Sequence, residues 1–130
     1  MSRILKRVLP LMAVFLMTAA SAAGMSSLAG SEWGMADTDR PFIRFEAEGR
    51  VAGDAGCNRF FGSYEEDGDT LKIGPLGTTR MACIPDLMAT EKRFLDALGK
   101  AAAFERDGTK LIISDAAGAL LLELVQRDWD

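Results

Sequence analysis

The amino-acid sequence predicts an α+β fold that is mostly β. Antiparallel hairpins form a curled sheet or small barrel-like structure, with one packed α-helix at about residues 85–99. Three observations predict it. Short runs with apolar and polar residues in alternation recur along the chain, the period of half-buried strands. Tight turn signals separate them, among them Glu48-Gly49, Asp67-Gly68 and Asp107-Gly108, as hairpins require. A single segment carries its apolar residues at helical spacing instead. Strands at such regular intervals make a sheet that curls or closes, with the helix packed on it or plugging an end.

The chain begins with the features of a signal peptide, expected over residues 1–22. Arg3, Lys6 and Arg7 form a basic start, Val8 to Thr18 is apolar apart from Pro10, and Ala20-Ser21-Ala22 offers small residues for cleavage before Ala23. The apolar run is shorter than the roughly 20 residues needed to span a bilayer. No cysteine lies near the cut, so the lipid attachment of bacterial lipoproteins is not expected. Residues 23–27 then read as a flexible lead-in and residues 28–130 as one domain. Loss of the three basic residues takes the formal net charge from −4 to −7. So acidic a domain is a poor match for nucleic acid, whose binding relies on Lys and Arg neutralising phosphates, and for an anionic membrane surface.

Leu28 to Met35 reads as the first strand, anchored by Trp33, and Asp37 to Pro41 as a turn cluster. Phe42 to Ala47 alternates, with Ile43, Phe45 and Ala47 on one face. Arg50 to Gly53 returns from the turn at Glu48-Gly49. Gly53, Gly56 and Gly62 signal tight bends or close backbone packing, and Phe60 and Phe61 point to opposite faces. Ser63 to Glu66 and Thr70 to Ile73 form a hairpin. Its acidic tip, Glu65 to Asp69, resembles a fragment of a calcium loop but lacks the ligand spacing and flanking helices of an EF-hand. Gly74 to Gly77 reads as a loop. Pro85 and Asp86 open the helix, Gly99 stops it, and Leu87, Phe94, Leu95 and Leu98 make its apolar stripe. Phe104 to Arg106 and Lys110 to Ser114 form another hairpin, and Ala119 to Val125 the last strand, with Leu120, Leu122 and Leu124 facing inward.

The least interchangeable residues lie in two stretches, Gly56-Cys57-Asn58-Arg59-Phe60-Phe61-Gly62 and Thr79-Arg80-Met81-Ala82-Cys83. In an exported chain the two cysteines most simply form one disulfide. In the chain-entropy account, closing the loop from Cys57 to Cys83 stabilises by about 3.5 kcal/mol. A reactive thiol would need an activating base. Glu91 falls within the apolar stripe of the helix, where a carboxylate requires a cation, and Arg59 and Arg80 are the natural candidates. The chain has no histidine, which removes Ser–His–Asp and Cys–His nucleophiles, histidine-bound zinc and the commonest general base. No Gly-rich nucleotide loop opens a helix, and no cofactor or metal site is expected. A carboxylate-pair hydrolase stays formally open, although no feature selects the two residues.

With Trp33, the Phe42–Ala47 strand, Gly53, Tyr64, Gly74-Pro75-Leu76, Glu91 and Phe94, these stretches resemble the META domain family, also called HslJ-like, of exported bacterial proteins. The resemblance covers nearly all of the expected mature chain, with Phe61 standing where relatives often carry a small polar residue. It implies a small, mostly antiparallel β-structure with one helix and a setting in the cell envelope, where some members are linked to heat, envelope stress or drug resistance. It brings neither an enzymatic activity nor a ligand. Arg59, Arg80 and Glu91 sit in the recurrent motif. With Asn58 they are read either as a structural polar network or as a site for an anionic group.

The function expected is that of a non-enzymatic envelope domain, periplasmic or secreted, that binds an unidentified envelope protein or small ligand. The alternative is an interaction or inhibitor module for an envelope protease or chaperone; a carboxylate-dependent hydrolase comes last. An exposed apolar patch near Phe61 and Trp129 would favour protein interaction. An enclosed apolar pocket under the helix would favour a small ligand, and two close carboxylates in a cleft would favour the enzyme.

Overall fold

Eight antiparallel strands each pair with the next in sequence, and the last returns to pair with the first. The computed structural model describes residues 27–127. The expected signal peptide, residues 23–26 of the lead-in, and Trp129 lie outside the described residues. The elements are β1 (Ser31–Gly34), β2 (Phe42–Glu46), a 3-10 turn (Ala47–Gly49), β3 (Arg50–Asp54), β4 (Arg59–Asp67), β5 (Thr70–Thr78), α1 (Pro85–Lys100), β6 (Ala103–Asp107), β7 (Lys110–Ser114) and β8 (Leu120–Arg127). The mostly β fold with one packed helix is the one the sequence predicts, with the sheet closed into a barrel.

The interior is filled by side chains. Trp33, Ile43, Phe45, Val51, Phe60, Leu71, Leu111, Ile113 and Leu124 point inward from the strands and are buried. Each full burial of a large apolar side chain contributes about 1.5–3 kcal/mol, so this layer supplies most of the drive to fold. The Trp33 indole N–H donates to Ser31 Oγ, whose hydroxyl donates to the Leu28 carbonyl. A buried polar handle is thereby satisfied. Leu28 is itself fully buried, with its N–H donated to Glu66 Oε1. Gly53 belongs to the same packing, because a Cβ there would stand 2.2 Å from the Phe42 carbonyl oxygen.

Helix α1 packs its stripe onto this core. Phe94 and Leu98 are buried, Leu87 and Leu95 half-buried, and the Phe94 ring lies 6.0 Å from that of Phe60. Pro85 occupies the first turn with Asp86, and Lys100 the last, in accord with the helix dipole.

Four local expectations are corrected. Ala47 is exposed, because the chain leaves β2 at Glu46 and enters the 3-10 turn. Gly74 to Gly77 is not a loop; it continues β5, past an irregular step in which Ser63 opposes both Gly74 and Pro75. Gly74 takes φ 109° at that step, a region open to glycine. Gly99 does not stop the helix, which runs on to Lys100. Leu120 is turned outward rather than inward, since a register shift between Ile113 and Ser114 leaves Leu121 as an extra residue and reverses the alternation beyond it.

Tyr64, the one tyrosine of the chain, packs edge-on against Phe45 with ring centroids 4.9 Å apart. Burial, and then the nearby Glu66 carboxylate, disfavour its phenolate and raise its pKa. An unfolded tyrosine ionises near pH 10. Above that pH the unfolded state therefore loses its proton first, and stability, complete below about pH 10, falls as the pH rises through the folded-state pKa. An absorbance titration of this tyrosine should give a higher midpoint in the native protein than in denaturant. An equal or lower native midpoint would contradict the packing described.

Candidate functional site

The bend between β3 and β4 carries Cys57 and Asn58, and helix α1 brings Glu91 against it. Glu91 is only 8% exposed. Its Oε1 accepts the backbone N–H groups of Asn58 (2.6 Å) and Cys57 (3.3 Å), and its Oε2 accepts Asn58 Nδ2–H (3.0 Å). The helix places the carboxylate here because Glu91 lies one turn before Phe94, on the face that Phe94 and Leu98 bury. The bend runs against the helix at Gly56, where an added Cβ would meet Leu87, Thr90 and Glu91 at ordinary contact distance, 3.4–3.5 Å. It is the φ of 129° that favours glycine there.

Asn58 is the hub. Besides Glu91, Nδ2 reaches the Met81 carbonyl at 3.2 Å; Oδ1 accepts the Met81 N–H at 2.6 Å and the Thr79 hydroxyl at 2.9 Å. Both donors and both lone pairs of the amide are used, the full complement for this side chain. Thr79 Oγ1 in turn accepts the Arg59 N–H, and the Thr79 N–H returns to the Arg59 carbonyl. The Cys57–Cys83 disulfide is formed, with Cα atoms 6.0 Å apart. Together these contacts tie the strap from Thr79 to Ile84 to the barrel and to the start of the helix.

The structure brings Asn58 and Glu91 together but leaves Arg59 and Arg80 apart from them. Both arginines are exposed, and among the described residues neither forms an ion pair with Glu91. The expected cationic partner is replaced by three N–H donors. These satisfy a buried carboxylate without the desolvation cost of a second buried charge. Thr79 and the Met81 backbone are the members that sequence reasoning missed; their one signal was a position just before Cys83.

Arginines pair elsewhere. Arg44 and Arg127 share Glu32, at 3.0 and 3.7 Å, and both stack on Phe42. In the acidic hairpin, Glu66 is committed to Leu28. Among the described residues no group of three Asp, Glu or Cys side chains is arranged to hold a metal ion.

The outer surface carries several large apolar side chains. Met81 is 57% exposed, Ile84 63% and Phe61 55%. Alongside the helix, an open groove of about 450 Å³ lies between β5 and α1, with Leu76 and Leu95 among its walls. Among the described residues no helix is long and apolar enough to cross a membrane.

This architecture, a closed antiparallel barrel braced by one helix through a buried asparagine–glutamate clasp, is that of a small β-barrel domain. The chain belongs to the META domain family, whose pattern matches residues 24–128; it is not a known enzyme family. Solved structures share the fold. An NMR structure of a protein from Burkholderia xenovorans has a TM-score of 0.62 and 22% identity, covering 93% of this chain and 100% of that one. A second NMR structure gives 0.58 at 22% identity over 77% and 90% of the two chains. A crystal structure of a DUF4847 family protein from Bacteroides vulgatus gives 0.54 at 18%, over 69% and 61%. No curated protein matches the chain.

Replacing Glu91 by Gln puts an NH2 group where one of the carboxylate oxygens accepts N–H donors. Glu91→Gln should therefore lower stability by about 1–3 kcal/mol, the cost of an unsatisfied buried donor. Thermal denaturation at neutral pH measures this, and an unchanged Tm would contradict the clasp.

Proposed function

We propose that the chain is an exported, non-enzymatic domain of the cell envelope that binds a protein partner through the strap from Thr79 to Ile84. One observation carries the reading: Met81 and Ile84 expose large apolar side chains on a segment that the fold holds rigid. Exposure alone would favour polar residues at both positions. A tethered apolar surface loses little conformational entropy on association. The barrel interior argues in the same direction, because among the described residues it is occupied by buried side chains such as Trp33, Phe45 and Phe60.

Export is supported by the basic start, apolar stretch and small-residue cleavage pattern of residues 1–22. The disulfide supports it too, since such bonds persist in oxidising compartments. These features support a periplasmic or secreted setting, and the family resemblance adds a link to envelope stress. A disulfide-tethered, outward-facing loop is also what an inhibitor offers to a protease, which keeps an envelope protease or chaperone among the partners to test.

The test compares partners recovered from envelope extract by the mature domain and by a Met81→Glu/Ile84→Glu variant. Both changes lie on exposed positions, so Tm should hold within the small range usual for surface substitutions. Recovery of the specific partner should fall about tenfold or more, as expected when apolar anchors worth about 1.4 kcal/mol or more are lost. Equal recovery by the two proteins would overturn the assignment of the strap.

A further inference from the structure

The barrel closes unevenly. Strand β5 pairs with β4 along almost its whole length, but its register with β6 holds a single pair, Thr70↔Ala103. Next to that pair, the Leu71 N–H reaches the Ala102 carbonyl, and beyond it the neighbouring chain is helix α1. The alternation of an antiparallel ladder then fixes which groups are left over. Ile73 shares the outward phase of Leu71. Past the irregular step at Gly74 and Pro75, the bond from Thr79 N–H to the Arg59 carbonyl sets the phase. Leu76 and Thr78 therefore direct their N–H and C=O groups away from β4. Among the described residues they have no strand partner on that side.

Natural sheets cover or blunt such an edge. Here the edge instead forms one wall of the groove whose other wall is Leu95 and Gly99 of α1. Gly99 is the telling residue. It is the penultimate residue of the helix, and a Cβ added there would meet nothing within 4 Å. No packing constraint requires a glycine at this position, and a large side chain here would enter the groove that Gly99 lines.

We infer that this groove accepts an extended peptide segment as an added antiparallel strand on β5, with the segment's C-terminal carboxylate set against Lys72. The rest of the barrel is antiparallel, and a segment that continues this pattern runs from Thr78 towards Lys72. There it meets the start of β6, which occupies the next positions along β5, so the segment must end. Lys72 lines the groove at that point. It is the one charged lining residue, a cation in an acidic chain, exposed and in no ion pair among the described residues. An apolar segment ending in a free carboxylate complements both the walls and the charge. A second copy of the barrel fits less well, because α1 forms the opposite wall of the groove and stands where a flanking sheet would continue. Strand addition of this kind draws affinity from backbone hydrogen bonds and selectivity from alternate side chains.

This inference rests on reading the chain as a binding domain, and its test does not involve the strap. A short peptide of alternating valine and threonine ending in leucine, with a free carboxylate, is titrated into the mature domain and followed by amide NMR shifts. The expected result is saturable binding, with the largest shifts at Ile73, Leu76 and Thr78. Amidating the peptide's C-terminus, or changing Lys72→Glu, should weaken binding about tenfold, the effect of losing one charge-assisted contact. Gly99→Leu should abolish binding, whereas Gly99→Ala should raise Tm and leave the edge available. The retained spectrum of the Gly99→Ala protein controls for folding. Three results would overturn the inference: no binding at millimolar peptide, shifts that map to the strap, or a Gly99→Leu variant that folds and still binds. Self-association of the free domain that Gly99→Leu removes would also overturn it, in favour of a second copy.

Discussion

The structure depends on one buried carboxylate. Glu91 reaches from the middle of the helix to two backbone N–H groups and one side-chain amide of a bend more than thirty residues earlier. Helix and barrel are otherwise joined by non-directional apolar contact between Phe94, Leu98 and the strands. Apolar burial gives the association its strength but sets no register. The hydrogen bonds set it: a carboxylate displaced by one helical turn would be buried without partners, at a cost of several kcal/mol. Asn58 passes the constraint on to Thr79 and Met81, and the disulfide secures the same strap covalently.

The clasp also explains how the surface is arranged. Because the strap is held from beneath by Asn58 and from its end by Cys83, Met81 and Ile84 cannot fold inward to hide their side chains. Because α1 is pinned at Glu91, it stands beside β5 instead of yielding its place to a longer β6. The barrel is thus closed at the β5–β6 seam by one register pair and the two backbone hydrogen bonds beside it. An apolar strap and an unpaired strand edge are both costs to an isolated domain, and both become assets in one that binds other chains.

Much of this was legible in the sequence. Alternation at Ile43 and Phe45, the Asp-Gly turns, Pro85 at the helix start and the anchoring of Trp33 all read correctly, since each rests on local chemistry. The pairing of Cys57 with Cys83 followed from the cysteine count and the expectation of export, and the presence of Glu91 in an apolar stripe announced a compensating partner. The identity of that partner was hidden. Charge composition suggests an arginine, while the backbone N–H groups of a bend are carried by every residue type and leave no mark in the sequence. The irregular steps at Gly62–Tyr64 and Ile113–Ser114 were hidden for a related reason. A one-residue bulge moves Leu120 from the interior to the surface without changing any residue, and Gly74-Pro75 looks like a loop until its neighbours pair around it.

The bend at Cys57 and Asn58 is held by Glu91 as firmly as the strands are held by one another. Amide hydrogen exchange of the oxidised protein measures this directly. The Asn58 amide belongs to no strand, so a free bend would exchange it quickly. Protection at Asn58 should be comparable to that of the central residues of β3 and β4. Exchange at the rate of an exposed turn such as Asp107-Gly108 would show that the clasp does not hold the fold together.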